Sequence, residues 1–366
     1  MGCRSTAVLP EGMSRERFQW LENWVTDPTD IVRTYGTESN VKEIYDACNK
    51  LAEDRENIIF NQFREFGNYI IHRAVTGPAL ETIFQAISKD RPLKARAFLS
   101  ASGSAGTLGA GDYLKSVLGS QIGVIEALEC PTLLYNGFGE HNIQGIGDKH
   151  VPFIHNVMNT DYVIGVSDQA TDAVNLLFNT TAGRAFLSQR TGLGQEFLSS
   201  LADLGLSSIA NVLGAIKLAR YCDLGSDDAI LTIATDGSEM YSTEQAKKLQ
   251  NQHERAFDAV SAAEVFGQHL LGAATDHFLE TNRRDRERIF NLYRHEIPYD
   301  VAIEIEDFNE RADSARDYIR AVIYVDKPSQ KQLLIGGNGS PLKLVGVERC
   351  RWGPWRANEV GDPPFF

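Results

Sequence analysis

Apolar and polar positions along the chain follow two alternating rhythms. Short apolar runs at Ser5-Thr6-Ala7-Val8-Leu9, Asn57 to Phe60, Arg96 to Ser100, Tyr162 to Val166 and Ala229 to Ala234 have the length of buried strands. Between them, apolar residues recur at helical spacing. Ser14 is placed to cap a helix whose Phe18, Leu21, Trp24 and Val25 share a face, and Asn40 with Glu43 forms a capping-box pattern before Val41, Ile44, Tyr45, Cys48 and Leu51. Pro78 suits the first residue of a helix running to about Ser88, and further helical stretches lie at about 168 to 182 and 195 to 220. Strands alternating with helices predict an α/β fold, a doubly wound sheet.

One junction carries candidate chemistry. The run Ala97 to Ser100 passes through small residues only, Ala101 to Gly106, and then into a helical pattern that includes Asp112 to Leu118. A strand, a side-chain-poor loop and a helix start place unpaired backbone amides at the positive end of a helix, where they can close around a phosphate. The loop is neither G-x-x-x-x-G-K-[ST] nor G-x-G-x-x-G, so the nucleotide fingerprints are not met. A βα turn that needs small residues for close packing accounts for the same pattern.

Composition narrows the class without changing this picture. The 366 residues, 43% hydrophobic and 23% charged, can bury a sizeable core and fit two domains or one with an appendage. No apolar run reaches the ~18 residues of a membrane span. A net charge of -13 opposes nonspecific nucleic-acid binding by the chain as a whole. Five widely spaced cysteines, with no C-x-x-C, indicate neither a disulfide framework nor a metal site, and fit a reducing cytoplasm. Met1-Gly2-Cys3 matches an acylation pattern, but the segment from Arg4 reads better as the first strand.

A series of motifs resembles the cysteine synthases, pyridoxal-phosphate enzymes of the tryptophan-synthase-β-like fold. Over about residues 2 to 290, Pro10-Glu11-Gly12-Met13-Ser14, Asn61-Gln62-Phe63, Gly67-Asn68, His72, Thr76-Gly77-Pro78, Gly103-Ser104-Ala105-Gly106-Thr107, Ile143 to Gly147 and Gly205-Leu206-Ser207-Ser208 occur in the order of that family. The resemblance implies that Gly103, Ser104, Ala105, Gly106 and Thr107 hold the cofactor phosphate and that Ser207, or its neighbour Ser208, meets the pyridine nitrogen. A hydroxyl there keeps the ring neutral and favours β-elimination and replacement. Gln62 is similar to the residue that holds the amino-acid carboxylate, and Gly145 lies in the segment lining the pocket mouth. His72 matches a family histidine and reads more simply as structural.

In that family a cofactor-bearing lysine and a Ser-Gly-Asn loop precede the first strand found here, and Met1 begins after both. Lys89, Lys94 and Lys115 read as solvated positions near helix ends. The resemblance thus implies an N-terminally incomplete unit that takes pyridoxal phosphate non-covalently at best, turns over poorly and leaves an apolar edge or face uncovered, a route to oligomers.

The pattern changes towards the C-terminus. Residues 241 to about 294 are helical and charged, and the run Asn282 to Leu292 reads as a solvated helix. Val301, Ile303 and Ile305 then alternate, a charged turn follows, and Tyr318 to Val325 forms a second alternating run, predicting an antiparallel pair. Ser329 to Ile335 reads as a short helix entering Gly336-Gly337-Asn338-Gly339. Residues 285 to 346 resemble the KH type-2 module at the C-terminus of Era-type GTPases, in which a G-x-x-G loop clamps single-stranded RNA. The resemblance places RNA at Gly336, Gly337, Asn338 and Gly339, with Lys331 and Lys343 as the nearest phosphate partners. The pattern ends at Gly346, where the remainder of the module's second helix and a final strand should follow.

The expected organisation is a cysteine-synthase-like domain at 1–280, a KH-like module at 281–346 and an irregular tail at 347–366. Three functions follow from it: a β-replacement or β-elimination enzyme acting on an amino acid, an RNA-binding protein, and a non-catalytic scaffold or a chimera of two coding regions.

Overall fold

The computed structural model describes residues 3–252, 256–294, 301–309 and 318–325. The chain divides into two compact units, one reaching Tyr293 and one starting at Arg294.

The first unit opens with two short parallel strands, β1 (Ala7–Pro10) and β2 (Ile31–Thr34), joined through helix Arg15–Glu22 and followed by helix Val41–Leu51. Ser14 caps the first helix by accepting from the Arg17 amide at 3.4 Å, and Phe18 is its buried residue. Here the structure corrects three expectations. The second strand is Ile31–Thr34, whereas residues 57–60 form no strand and leave Ile58 and Phe60 77% and 87% exposed. An apolar run alone does not make a strand when no neighbour is there to pair with it. Asn40 stands at the N-cap position, but its side chain caps no helix amide; its Oδ1 accepts from the Thr37 amide at 3.0 Å, because Gly36, at a φ of +103°, turns the chain back over it. Trp24 lies beyond the helix end and is exposed.

The main sheet contains β3 (Lys94–Ala101), β4 (Gln121–Ala127), β5 (Tyr162–Val166), β6 (Asp228–Thr232) and β7 (Phe278–Glu280), in the order β6-β3-β4-β5-β7. All neighbours are parallel except β5 and β7, which run antiparallel. Successive residues of a strand point to opposite faces, and the packing follows that rule. Ala97 and Leu99 of β3 join the core on one side with Ile209 and Leu213 of helix Leu206–Tyr221, while Phe98 packs on the other with Ala110 and Leu114 of helix Leu108–Leu118. Phe98 and Leu114 are fully buried, each stabilising the fold by about 1.5–3 kcal/mol. Both faces are therefore covered, as a doubly wound sheet requires, while β1 and β2 form a separate small sheet.

A longer helical passage runs from helix Phe66–Ile71 through a wider π turn, His72–Thr76, into helix Gly77–Ile87. Gly77 has to be a glycine, since a Cβ there would fall 2.8 Å from the Tyr113 side chain. The outer side of this passage exposes Ile70, Ile71, Val75, Ile83 and Ile87, so the apolar surface left uncovered lies on helices as well as on the coil at Ile58 and Phe60.

Helix Arg283–Arg294 closes the unit and is not the solvated helix expected. Ile289 is buried, Arg286 bonds Thr160 O at 2.8 Å and Asp161 at 3.0 Å, and Arg288 bonds Leu133 O at 2.7 Å. Lys115 likewise is not a free surface lysine, because its Nζ lies 2.6 Å from Asp161 and 3.1 Å from Asn159 O. In the second unit β8 (Val301–Asn309) pairs antiparallel with β9 (Tyr318–Val325), Val301 opposite Val325, with a bulge between Ile305 and Asp307. No single described helix is long and apolar enough to cross a membrane.

Candidate functional site

The loop after β3 sits at the carboxyl edge of the parallel strands, where α/β sheets present their ligands. Ser102 donates its amide to Ile125 O (2.9 Å), and the Gly147 amide donates to Ser102 O (3.0 Å), so the loop is stitched to β4 and to the segment 143–147. Ala105 adopts a φ of +66°, turning the chain sharply before helix Leu108–Leu118 begins. The Ser100 and Thr107 hydroxyls meet at 2.7 Å across the loop's base. Asn68, from the helical passage, donates to Ser104 Oγ at 3.0 Å and to Gln62 O at 2.9 Å, bracing the loop from outside.

These elements enclose a cleft of about 130 Å³. Gly103 to Thr107 form its floor; Gly145 and Ile146, Ser207 and Asn211, Thr235 and His72 form its walls. Gly145 has a φ of +88°, and a Cβ on it would meet no heavy atom within 4 Å, so its missing side chain is open cleft. The wall segment is held from behind: Ser14 donates its amide to Gln144 Oε1 at 3.0 Å, and the buried Glu38 carboxyl accepts the Gly145 amide. Burial pushes Glu38 up to about 7 and raises the nearby Asp148 well above the ordinary carboxylate range. A wider depression of about 530 Å³, lined by Phe84, Lys94, Arg96 and Gln121, lies at the amino ends of β3 and β4, the edge away from the loop.

The two adjacent serines part company. Ser208 Oγ donates to Thr235 O and accepts from the Thr235 amide, both at 2.9 Å, and is fully occupied in fixing the chain after β6. Ser207 lines the cleft, and among the described residues its hydroxyl has no protein partner. Gln62 is exposed and does not line the cleft, its part there being the carbonyl that anchors Asn68. Asn211, one helical turn from Ser207, donates to Ile233 O (2.8 Å) and accepts from the Ala101 amide (2.7 Å), clamping the ends of β3 and β6. The motif reading missed it, although the four-residue spacing from Ser207 places both on one helix face. It likewise assigned no role to Asn68 and Thr235.

The residues present fit a phosphate monoester joined to a neutral aromatic ring. Apart from His72 the lining donors are amides and hydroxyls, no carboxylate of the described residues lines the cleft, and Gly145 leaves room beside the loop. Among the described residues no lysine lines the cleft either. Lys115 is paired with Asp161, and Lys217, although buried, bonds Gly165 O and Asp276, both at 3.1 Å. No group of three or more metal-ligating side chains occurs among the described residues. Lys331, Gly336, Gly337, Asn338, Gly339, Lys343 and the tail 347–366 lie outside the described residues.

No family profile matches the chain. It is 31% identical over 246 residues to cysteine synthase B of Campylobacter jejuni, covering 66% of this chain and 71% of that protein. A cysteine synthase from Entamoeba histolytica superposes with a TM-score of 0.52 at 21% identity, over 73% of this chain and 70% of that one, which establishes the shared fold. A separate likeness, 48% over 66 residues, links 18% of this chain to GTPase Era of Carboxydothermus hydrogenoformans, of which it spans 22%. With its strand-loop-helix junction, its two-faced sheet and a relative matched over more than two thirds of its length, the chain belongs to the cysteine synthase family.

Proposed function

We propose that the first unit is a pyridoxal-phosphate-binding domain of the cysteine synthase kind that holds its cofactor without a covalent bond from this chain. What supports the reading is the cleft itself: a floor of loop amides at a helix start, the Ser207 hydroxyl facing the cleft, and no lysine among the described lining residues. The amides of Gly103 to Thr107, aided by the Ser104 and Thr107 hydroxyls, would hold the phosphate, and Ser207 would meet the ring nitrogen. When bound, pyridoxal phosphate supplies an electron sink for loss or exchange of a group on the β-carbon of an amino acid. The protein's own part is to hold and orient. Without a lysine at the cleft it has no positioned amine to exchange with a substrate or to return a proton, so turnover by the chain alone is slight.

The test is equilibration with pyridoxal phosphate, desalting, and borohydride reduction with mass mapping. The expected result is cofactor that binds saturably, dialyses away and leaves no pyridoxyl group on any lysine. A single lysine modified in full would overturn the non-covalent reading, and absence of saturable binding would overturn the binding reading.

A second reading rests on a different stretch. The 48% likeness to an Era GTPase and the antiparallel pair β8–β9 support a KH-like module in the second unit that binds single-stranded RNA. Its affinity should fall steeply with salt and be lost in a Gly337→Asp/Asn338→Asp variant; RNA binding that ignores both would count against it.

A further inference from the structure

The cleft has one chemical peculiarity beyond its shape. Among the residues that line it, His72 is the single titratable side chain; the other polar contributions come from hydroxyls, an amide side chain and backbone. A phosphate monoester carries about −1.5 to −2 charge near neutrality, so a cleft of neutral donors would hold it through dipoles unless this histidine contributes charge.

His72 is placed to do so. It opens the π turn that separates the two α-helical stretches, a wide turn of the kind found at functional sites. Its Nδ1 lies 3.0 Å from Thr76 Oγ1, within the same turn, which fixes the ring and leaves Nε2 as the nitrogen available to a ligand. We infer that His72 is the charge-bearing contact for the phosphate in this cleft: it takes up a proton as the anion binds and makes the site select phosphate esters over neutral ligands. The inference rests on the cofactor-binding reading above and adds to it the residue that sets charge selectivity.

The surroundings leave the ring free to respond. From helix Leu108–Leu118 come Asp112, occupied by Tyr69, Asn156 and Asn159, and Lys115, paired with Asp161. From helix Gly77–Ile87 comes Glu81, bonded to the Tyr113 hydroxyl and Gln85. Its own turn carries Arg73, which is exposed, and helix Phe66–Ile71 carries Tyr69. Burial alone holds the imidazole below its ordinary value, so the free cleft is neutral at pH 7. A bound dianion acts in the opposite direction, raising the proton affinity of the ring.

The experiment is calorimetric titration of the full chain and of His72→Gln with inorganic phosphate and with pyridoxal phosphate, at about pH 5.5 and 7.5, in buffers of differing ionisation enthalpy. The wild-type to variant affinity ratio is expected to grow about tenfold towards the lower pH, as a charge-assisted bond forms. The wild type should also take up more protons per ligand bound than the variant. In parallel, the imidazole resonances of the wild-type protein are followed during phosphate titration, so that a variant which fails to fold leaves a deciding measurement. One ring moving towards its protonated shift supports the inference. Equal pH profiles, or no imidazole response while ligand binds, overturn it and leave the cofactor reading standing; no binding of either probe by the wild type overturns both.

Discussion

Gly103→Ala isolates the fit between the two walls of the cleft. A Cβ on Gly103 would stand 2.5 Å from the Gly145 carbonyl oxygen and 3.5 Å from Ile146 Cα. Ordinary contact begins near 3.4 Å, so loop and wall must part by about 0.9 Å, and both are backbone, with no side chain to swing aside. Overpacking of this kind costs about 1–3 kcal/mol. The same separation stretches the bond from the Gly147 amide to Ser102 O, now 3.0 Å, past hydrogen-bonding range, at a further cost of about 1 kcal/mol. The sum, about 2–4 kcal/mol, lowers Tm by roughly 3–7 °C in a unit of this size. The displaced Gly145 also widens the cleft, so affinity for pyridoxal phosphate falls with it. Gly106→Ala is the comparison. Its Cβ would meet Asn68 Oδ1, the end of a side chain that can rotate away, giving up its bonds to Ser104 Oγ and Gln62 O for about 1–2 kcal/mol. Urea unfolding of both variants, with cofactor titration, reads the order directly. A Gly103→Ala protein as stable as Gly106→Ala, or one that binds cofactor like the wild type, refutes the reasoning.

The two serines should separate by assay. Ser208→Ala removes both bonds to Thr235 and is expected to lower unfolding free energy by about 1–3 kcal/mol, while Ser207→Ala leaves stability unchanged and weakens cofactor binding several-fold. Equal effects of the two in both assays would count against the division of roles. Glu126 gives a pH signature. Its buried carboxyl accepts the Leu133 and Leu134 amides at 2.9 and 2.8 Å, and burial pushes it up to about 8 from 4.5. The folded chain thus keeps a proton that the unfolded chain releases, so this group's contribution to stability is lost as pH rises from about 4.5 to 8, by at most ~1.4 kcal/mol per pH unit. Relative to the wild type, Glu126→Gln should gain stability across that window; parallel melting profiles would show that Glu126 does not titrate there.

What could be read from the chain, and what could not, divides along a physical line. Strand β5, bounded by Tyr162 and Val166, was legible because it is buried on both sides, and such strands are continuous apolar runs. β2 was not: Ile31-Val32-Arg33-Thr34 is a short, partly exposed strand whose partner is β1, twenty-four residues earlier in register. The apolar Ile58 and Phe60 gave the opposite error, because apolarity reports a preference for burial and not whether a neighbour exists to provide it. In the cleft, the loop 103–107 was legible from its small residues. His72, Asn211 and Asn68 were not assigned to it, because His72 and Asn68 come from one helical passage and Asn211 from another, and only the packing of these helices against the sheet brings His72 and Asn211 to the cleft and Asn68 to the outside of its loop.

Helix Arg283–Arg294 shows why the join between the two likenesses is hard to place by sequence. Its run of charges reads as a solvated surface helix, and the stretch that resembles the Era module begins inside it. Yet a helix with one narrow apolar stripe can be surface in one setting and packed in another, since the stripe needs only one groove. Here Ile289 fills that groove, and the two arginines flanking it serve backbone carbonyls: Arg286 reaches Thr160 O, and Arg288 reaches Leu133 O in the short helix Thr132–Tyr135, whose first amides Glu126 accepts. Those carbonyls belong to segments adjoining β4 and β5, at the centre of the sheet. The helix is therefore committed to the sheet that forms the cleft, and the compact unit takes in all of it but its last residue, ending at Tyr293. Compactness follows the burial of Ile289 and the satisfaction of those carbonyls, which composition along the chain does not reveal.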